Sequence, residues 1–262
     1  MTEAQDPRQE LWDAQRDAQP TISGDELARK SRRSVLTGVG GVVAALGGWK
    51  WFGGRPTDDG ALVPLRKGLE FNEAIWSKIG DGGEVRTFSE SDLTGIRVNG
   101  LIGLRSDLDR DAWRLRIENA DGELIDELDE AALADLAQAD QIVKHKCVEG
   151  WSATVRWTGP TVATLLEPYA DQLGDWDYAA FVTPDEEYYV GLDNSAAMHP
   201  QTVLATSLDG EPLSLEHGAP VRLAVPIAYG IKSLKRVGTI RLTNERPPDY
   251  WAERGYDWYS LH

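Results

Sequence analysis

The sequence predicts an α+β domain in which a mixed sheet packs with helices. Three observations lead there. Segments with strand-like alternation and segments with helical three-and-four spacing follow one another irregularly, without the regular βαβ period of a doubly wound sheet. The strand-like runs are rich in β-branched residues, as in "PVRLAVP" and "VGTIRLT". Once an N-terminal segment is set aside, about two hundred residues remain, roughly one domain with chain enough for one sizeable core. No internal repeat interrupts this reading.

The chain opens with about thirty polar residues, followed by "SRRSVLTGVGGVVAALGGWKWF". Arg32 and Arg33 stand directly before an apolar, glycine-rich run from Val35 to Gly48. This is the twin-arginine export pattern. The run is shorter than the span of about twenty residues that crosses a bilayer. Trp49 and Trp51, flanking Lys50, extend it and resemble an interfacial belt. A cleaved signal and a retained anchor are both compatible with the pattern. The twin-arginine machinery carries folded proteins, which points to a cofactor inserted before export and to a location in the periplasm or at the outer face of the cytoplasmic membrane. The expected organisation is a polar leader with signal or anchor over 1–52, a linker over 53–68 and one folded domain over 69–262.

Within that domain, "AWRLRIEN" (112–119) alternates as a strand and Asp121-Gly122 turns the chain. Residues 126–140 read as a helix, with Leu128, Ala132, Leu133 and Leu136 on one face. "QIVKHKC" reads as a strand ending at Cys147. "PTVATLLEPYA" reads as a short helix with Pro160 in its first turn. "YAAFVT" and "EYYVGL" are strands, and "AAMHPQTVLAT" is a short helix broken at Pro200. "SLDGEPL" is a hairpin turning on Asp209-Gly210.

The net charge is −16, which excludes a nucleic-acid binder that must neutralise phosphates. One cysteine in 262 residues excludes an intrachain disulfide, a CxxC motif and a multi-thiolate metal site. In an extended segment, Cys147 and His145 share one face, with Lys144 and Lys146 on the other. Nearby cations favour a thiolate, which suits a soft metal or a nucleophile, although a lone cysteine is as often a small buried hydrophobe. A second feature is the cationic run Arg222, Lys232, Lys235 and Arg236 beside Gly230. Lysines, a serine and backbone amides in a turn suit a phosphate, against the plainer reading of a solvated basic face.

The ordered series "CVEGWS", "WTG", "AMHPQTVLAT", "DGEPL", "HGAPVRLAVPIAYGIKSLK" and "PPDYW" resembles the sulfite-oxidase family of molybdopterin enzymes over about Phe71 to Tyr259. The nearest branch contains the catalytic subunits of bacterial protein-methionine-sulfoxide reductases. The resemblance implies a sulfite-oxidase-type molybdopterin-binding fold and one molybdenum-molybdopterin per chain. It implies Cys147 as the catalytic thiolate on the metal, with Asn72, Ile75, Trp76, Thr183, His217, Arg222, Ser233, Leu234 and Lys235 contacting the cofactor. His217 stands where that branch has asparagine, and an imidazole also hydrogen-bonds a pterin. Trp151 stands where sulfite-oxidising members carry an arginine, which favours a neutral oxo substrate over sulfite.

The resemblance therefore implies an exported molybdenum oxidoreductase acting on protein-bound methionine sulfoxide or a small oxo compound. A sulfite-oxidising dehydrogenase on the same fold and a non-catalytic exported binding protein are the alternatives. No haem-attachment motif is present, so a membrane haem-b subunit linked to quinones is the implied electron donor. By the same resemblance, the immunoglobulin-like dimerisation domain of sulfite oxidases is expected to be absent.

Overall fold

A computed structural model describes residues 23–79, 83–105 and 107–262, with the side chains of residues 24, 27 and 76–79 excluded. The first 22 residues of the polar leader lie outside the described residues. The chain forms two units, Met1–Arg55 and Pro56–His262.

The first unit is one helix, α1 (Gly24–Gly53), whose N-cap Ser23 accepts a hydrogen bond from the Glu26 amide. Arg32 and Arg33 lie on it, and its glycines do not break it. Its apolar side chains Val35, Leu36, Leu46, Trp49 and Trp51 are exposed. Ala28–Gly53 is long and apolar enough to cross a membrane by length and composition.

The second unit begins where the sequence suggested a linker. Instead, β1 (Thr57–Asp58) and β2 (Ala61–Leu62) form a hairpin that leads into α2 (Val63–Ile79). Buried Arg66 fastens this piece: its guanidinium donates to the carbonyls of Asp59, Ala252 and Tyr256. Charge-assisted bonds to three carbonyls give the segment a fixed seat that linker composition does not reveal.

A five-stranded sheet follows, ordered β4-β3-β13-β7-β8. Its members are β3 (Leu115–Glu118), β4 (Leu124–Leu128), β7 (Tyr178–Val182), β8 (Tyr189–Asp193) and β13 (Thr239–Thr243). β13 runs parallel to β3 and every other pair is antiparallel, so the sheet is mixed as expected. The helix expected over 126–140 is corrected: Asp126–Leu128 pairs with β3, and only α3 (Glu130–Asp135) is helical. Asp129 caps that helix through the Ala132 amide, and cross-strand pairing on either side outweighs the helical periodicity.

A four-stranded sheet, ordered β11-β10-β6-β5, holds β5 (Ala139–Lys146) and β6 (Ser152–Gly159), with the hairpin β10 (Ser207–Leu208) and β11 (Glu211–Pro212). Asp209 and Gly210 take φ of 53° and 89°, the left-handed pair that a tight hairpin needs. Three short helices, α4 (Val162–Leu166), α5 (Ala170–Leu173) and α6 (Asn194–Ala197), lie between strands. Pro160 precedes α4 rather than entering it, because Thr161 is the cap.

β9 (Val203–Ala205) and β12 (Arg222–Ala224) form an antiparallel ladder that contributes to both hydrophobic cores. Leu204 and Leu223 enter the core of the five-stranded sheet, with Leu115, Phe181 and Ile240. Val203, Ala205 and Ala224 enter the core of the four-stranded sheet, with Val143, Val155 and Trp157. Period-two alternation therefore turns Arg222 toward the second core, over the Trp157 ring at 5.0 Å.

Candidate active site

Cys147 follows the last residue of β5. Its amide donates to the Trp151 carbonyl at 2.9 Å, and its own carbonyl accepts from the Gly150 amide. This turn reverses the chain into β6 and leaves the thiol largely buried, at 9% exposure. Burial alternates along β5: Val143, His145 and Cys147 are buried while Lys144 is exposed. Lys146 turns away to His262, its ammonium 3.0 Å from Nδ1. The cations expected to flank the thiol along the strand are thus directed elsewhere.

The thiol opens into a cavity of about 150 Å³ whose walls include Arg222, Ser233 and Lys235. β12 supplies Arg222. The chain returns beside it, with the Leu223 amide donating to the Leu234 carbonyl. Ser233 Oγ accepts from the Val225 amide. Leu234, fully buried, is a core residue that spaces Ser233 from Lys235. A Cβ on Gly230 would lie 2.6 Å from His145 Nε2, so glycine alone lets this turn close against the strand that carries the thiol.

The cavity is electrostatically uneven. Arg222 is 4% exposed, makes no ion pair with a carboxylate among the described residues, and leaves its Nε without a hydrogen-bond partner. Nη1 reaches the His217 carbonyl at 3.3 Å. Burial lowers the Arg222 pKa to about 10. Lys235 donates to the carbonyls of Asn99 and Gly100, and burial together with Arg222 lowers its pKa to about 8. His145 is held neutral, its pKa brought to about 3 by burial and by Arg222. Two buried cations without an anion are expensive, and a phosphate-bearing ligand is the natural partner.

The cationic run splits in two. Lys232 is fully buried facing away, bonded to Asp249 at 2.6 Å and to the Gly191 carbonyl. Arg236 is buried and does not line this cavity. Of these four cations, Arg222 and Lys235 line the cleft.

His217, Thr183, Asn72 and Ile75 fall outside the cavity wall. His217 packs beside it: its Nε2 lies 3.3 Å from the Ile96 carbonyl, and its Nδ1 lies 2.9 Å from Ser214 Oγ. A carbonyl only accepts, so Nε2 carries the proton. Thr183 is buried one turn away, donating to Asp185 Oδ1 and accepting from the Tyr188 amide. It thereby fixes the turn that presents Tyr188 to the cavity. Asn72 and Ile75 are exposed on α2 and do not line this cavity; residues 63–79 form one helix seated by Arg66 and by Glu73, which pairs with Arg246. Trp76 lies in the same helix, with its side chain outside the described residues.

An asparagine does reach the thiol, but it is Asn99, whose Nδ2 lies 3.9 Å from Cys147 Sγ. Its surroundings, "RVNGLIG", have no helical or strand periodicity and no charge cluster to mark them. Arg97, Glu149, Trp151, Trp251 and Tyr256 complete the mouth. Trp251 Nε1 donates to Tyr188 Oη, which donates to the Ile231 carbonyl, so the aromatic wall is braced from behind.

Among the described residues no group of three or more His, Cys, Asp or Glu side chains could hold a metal ion. A metal at Cys147 would have to bring other ligands with it. One soft sulfur, two buried cations without counter-ion and a glycine-tight turn form a donor set that fits a chelated metal with an anionic tail.

Residues 103–251 match the family described as oxidoreductase molybdopterin binding domain. The chain is 36% identical over 165 residues to a protein of Azospira oryzae provisionally named protein-methionine-sulfoxide reductase subunit YedZ1, covering 63% of this chain and 55% of that one. It is 38% identical over 135 residues to the protein-methionine-sulfoxide reductase catalytic subunit MsrP of Xanthomonas axonopodis pv. citri, covering 46% and 42%. The chain thus spans about half the length of the curated relatives it matches. Among solved structures, the sulfane dehydrogenase SoxCD of Paracoccus pantotrophus superposes with a TM-score of 0.48 at 17% identity, covering 54% of this chain and 40% of that one.

Proposed function

This chain belongs to the oxidoreductase molybdopterin-binding family, and on that premise we propose that it reduces methionine sulfoxide in proteins, with the metal held by Cys147. The observation that carries the proposal is the shared cavity of Cys147, Arg222 and Lys235. Relatives at 36% and 38% identity carry methionine-sulfoxide-reductase names, which supports the substrate class. The balanced reaction is sulfoxide plus two electrons and two protons giving thioether and water.

When bound, the molybdenum cofactor supplies the two-electron chemistry. The chain's own residues hold and orient. Cys147 Sγ is the one thiolate available to the metal. Arg222 and Lys235 grip the phosphate, and Ser233 lies along the same wall. Asn99 Nδ2 donates toward the cysteine sulfur, a contact of the kind that orients a ligand. Neutral His145 adds no charge beside that sulfur. Trp151, Trp251 and Tyr256 give the mouth apolar faces that accept a methyl thioether and exclude water.

The sequence contains no CxxCH, so electrons come from outside the chain. A membrane haem-b subunit linked to quinones is the proposed donor. α1 would serve as a twin-arginine signal or as an anchor that keeps the enzyme at the outer face of the membrane.

The test is Cys147→Ser, assayed for molybdenum by mass spectrometry and for methionine-sulfoxide reduction with reduced viologen. Activity is expected to fall by at least about a hundredfold, the upper end of what losing a contact that supports the metal costs. Undiminished turnover without the thiol would overturn the proposal.

A further inference from the structure

A third cation, Arg97, lines the cleft beside Arg222 and Lys235. Arg222 and Lys235 lie inside, whereas Arg97 stands at the mouth with 60% of its side chain exposed. Among the described residues that line the cavity, Glu149 is the one acid. Its Oε2 lies 3.0 Å from Arg97 Nη2 and accepts from Trp151 Nε1 at 3.0 Å. The Arg97 guanidinium lies 4.6 Å from the Trp151 ring centroid, so cation, ring and carboxylate form one unit.

Arginine has five N–H donors, and this pairing uses one of them toward Glu149. Arg97 can still donate to an oxygen at the mouth while its charge is cancelled. An oxyanion meeting such a unit gains little Coulomb energy, whereas a dipolar S=O group still gains a hydrogen bond. We infer that Glu149 screens Arg97, so that the mouth selects uncharged oxo substrates over oxyanions. The inference rests on the proposed reduction of an oxo compound and names the residues that set its specificity. The tryptophan four residues after the cysteine has a positive role here: it presents the indole that holds both charges in register.

The experiment uses cofactor-loaded protein with matched molybdenum content, so that Arg222 and Lys235 do not compete for the probe. Sulfate binding is measured by titration calorimetry at low ionic strength in wild type, Glu149→Gln and the double variant Arg97→Gln/Glu149→Gln. Unmasking Arg97 is expected to tighten sulfate binding about fivefold, the scale of one exposed charge interaction, and physiological salt should shrink the gain. The double variant should return to wild-type affinity. Glu149→Ser serves as a second variant if Glu149→Gln accumulates poorly, since both partners are surface side chains. No gain on removing Glu149, or a gain that survives removal of Arg97, overturns the inference. Sulfate binding is read without turnover. A protein with this binding pattern but no methionine-sulfoxide reduction therefore overturns the proposed function and leaves the screen standing. An active enzyme without the pattern overturns the screen alone.

Discussion

Lys235 shares its pocket with Arg222, and both burial and that neighbour push its pKa from 10.5 to about 8. A lysine whose folded-state pKa lies below its unfolded value costs stability wherever it is charged in both states, here below about pH 8. The cost is relieved as pH rises from about 8 to 10.5, because the unfolded chain then binds more protons than the folded one. In cofactor-free protein, the wild type is expected to gain stability relative to Lys235→Met across that window, measured by urea unfolding at pH 7.5 and 10. A difference that does not move with pH would contradict the assignment. Arg222 and Lys235 were legible as cations in an ordered run, but their separation from Lys232 and Arg236 was not. Those four residues differ in the direction of one side chain each, and direction depends on which strand lies alongside.

The turn after β12 illustrates what an element contributes. Lys232 anchors it from below through Asp249, which also accepts from the amides of Gly191, Trp251 and Ala252. One buried pair therefore joins the turn bearing Ser233 and Lys235 to the segment bearing Trp251. Lys232→Met is expected to destabilise the protein by about 3–5 kcal/mol, the cost of leaving a buried charge unpaired. Lys232→Met/Asp249→Asn should recover part of that loss. Denaturant unfolding of both variants checks this, and equal stability of the single variant and wild type would exclude it. The strand reading over 141–147 was sound because apolar alternation is local. The helix reading over 126–140 failed because Asp126–Leu128 pairs with Leu115–Ile117, nine to thirteen residues upstream, and the periodicity of one segment does not record pairing with another.

At the level of the molecule, the chain divides at Arg55 into a helical unit and a sheet unit. Every residue of the candidate site belongs to the second. A chain beginning at Pro56, loaded with cofactor in the cytoplasm, is expected to keep its molybdenum content and a melting temperature within about 2 °C of the full chain, a shift of at most about 1 kcal/mol for this size. It should no longer sediment with membranes. Continued sedimentation would show that α1 is not the anchor. The segment 53–68 looked like a linker by composition, yet Arg66 is bonded to carbonyls as far along the chain as Tyr256. Composition carries no record of a partner 190 residues away.

Residue chemistry was readable from the chain alone: one thiol in 262 residues, a cationic run that includes Ser233-Leu234-Lys235, and the order of motifs that marks the family. These depend only on which residues occur and in what succession. The meeting of Cys147 with Arg222 depends on β6, which pairs with β5 and carries the Trp157 ring on which Arg222 rests. The placement of Asn99 at the sulfur, and the removal of Asn72 to an exposed helix face, depend likewise on how distant segments pack. Such contacts are set by register and burial across the whole domain, and those are properties of the folded chain rather than of any stretch of it.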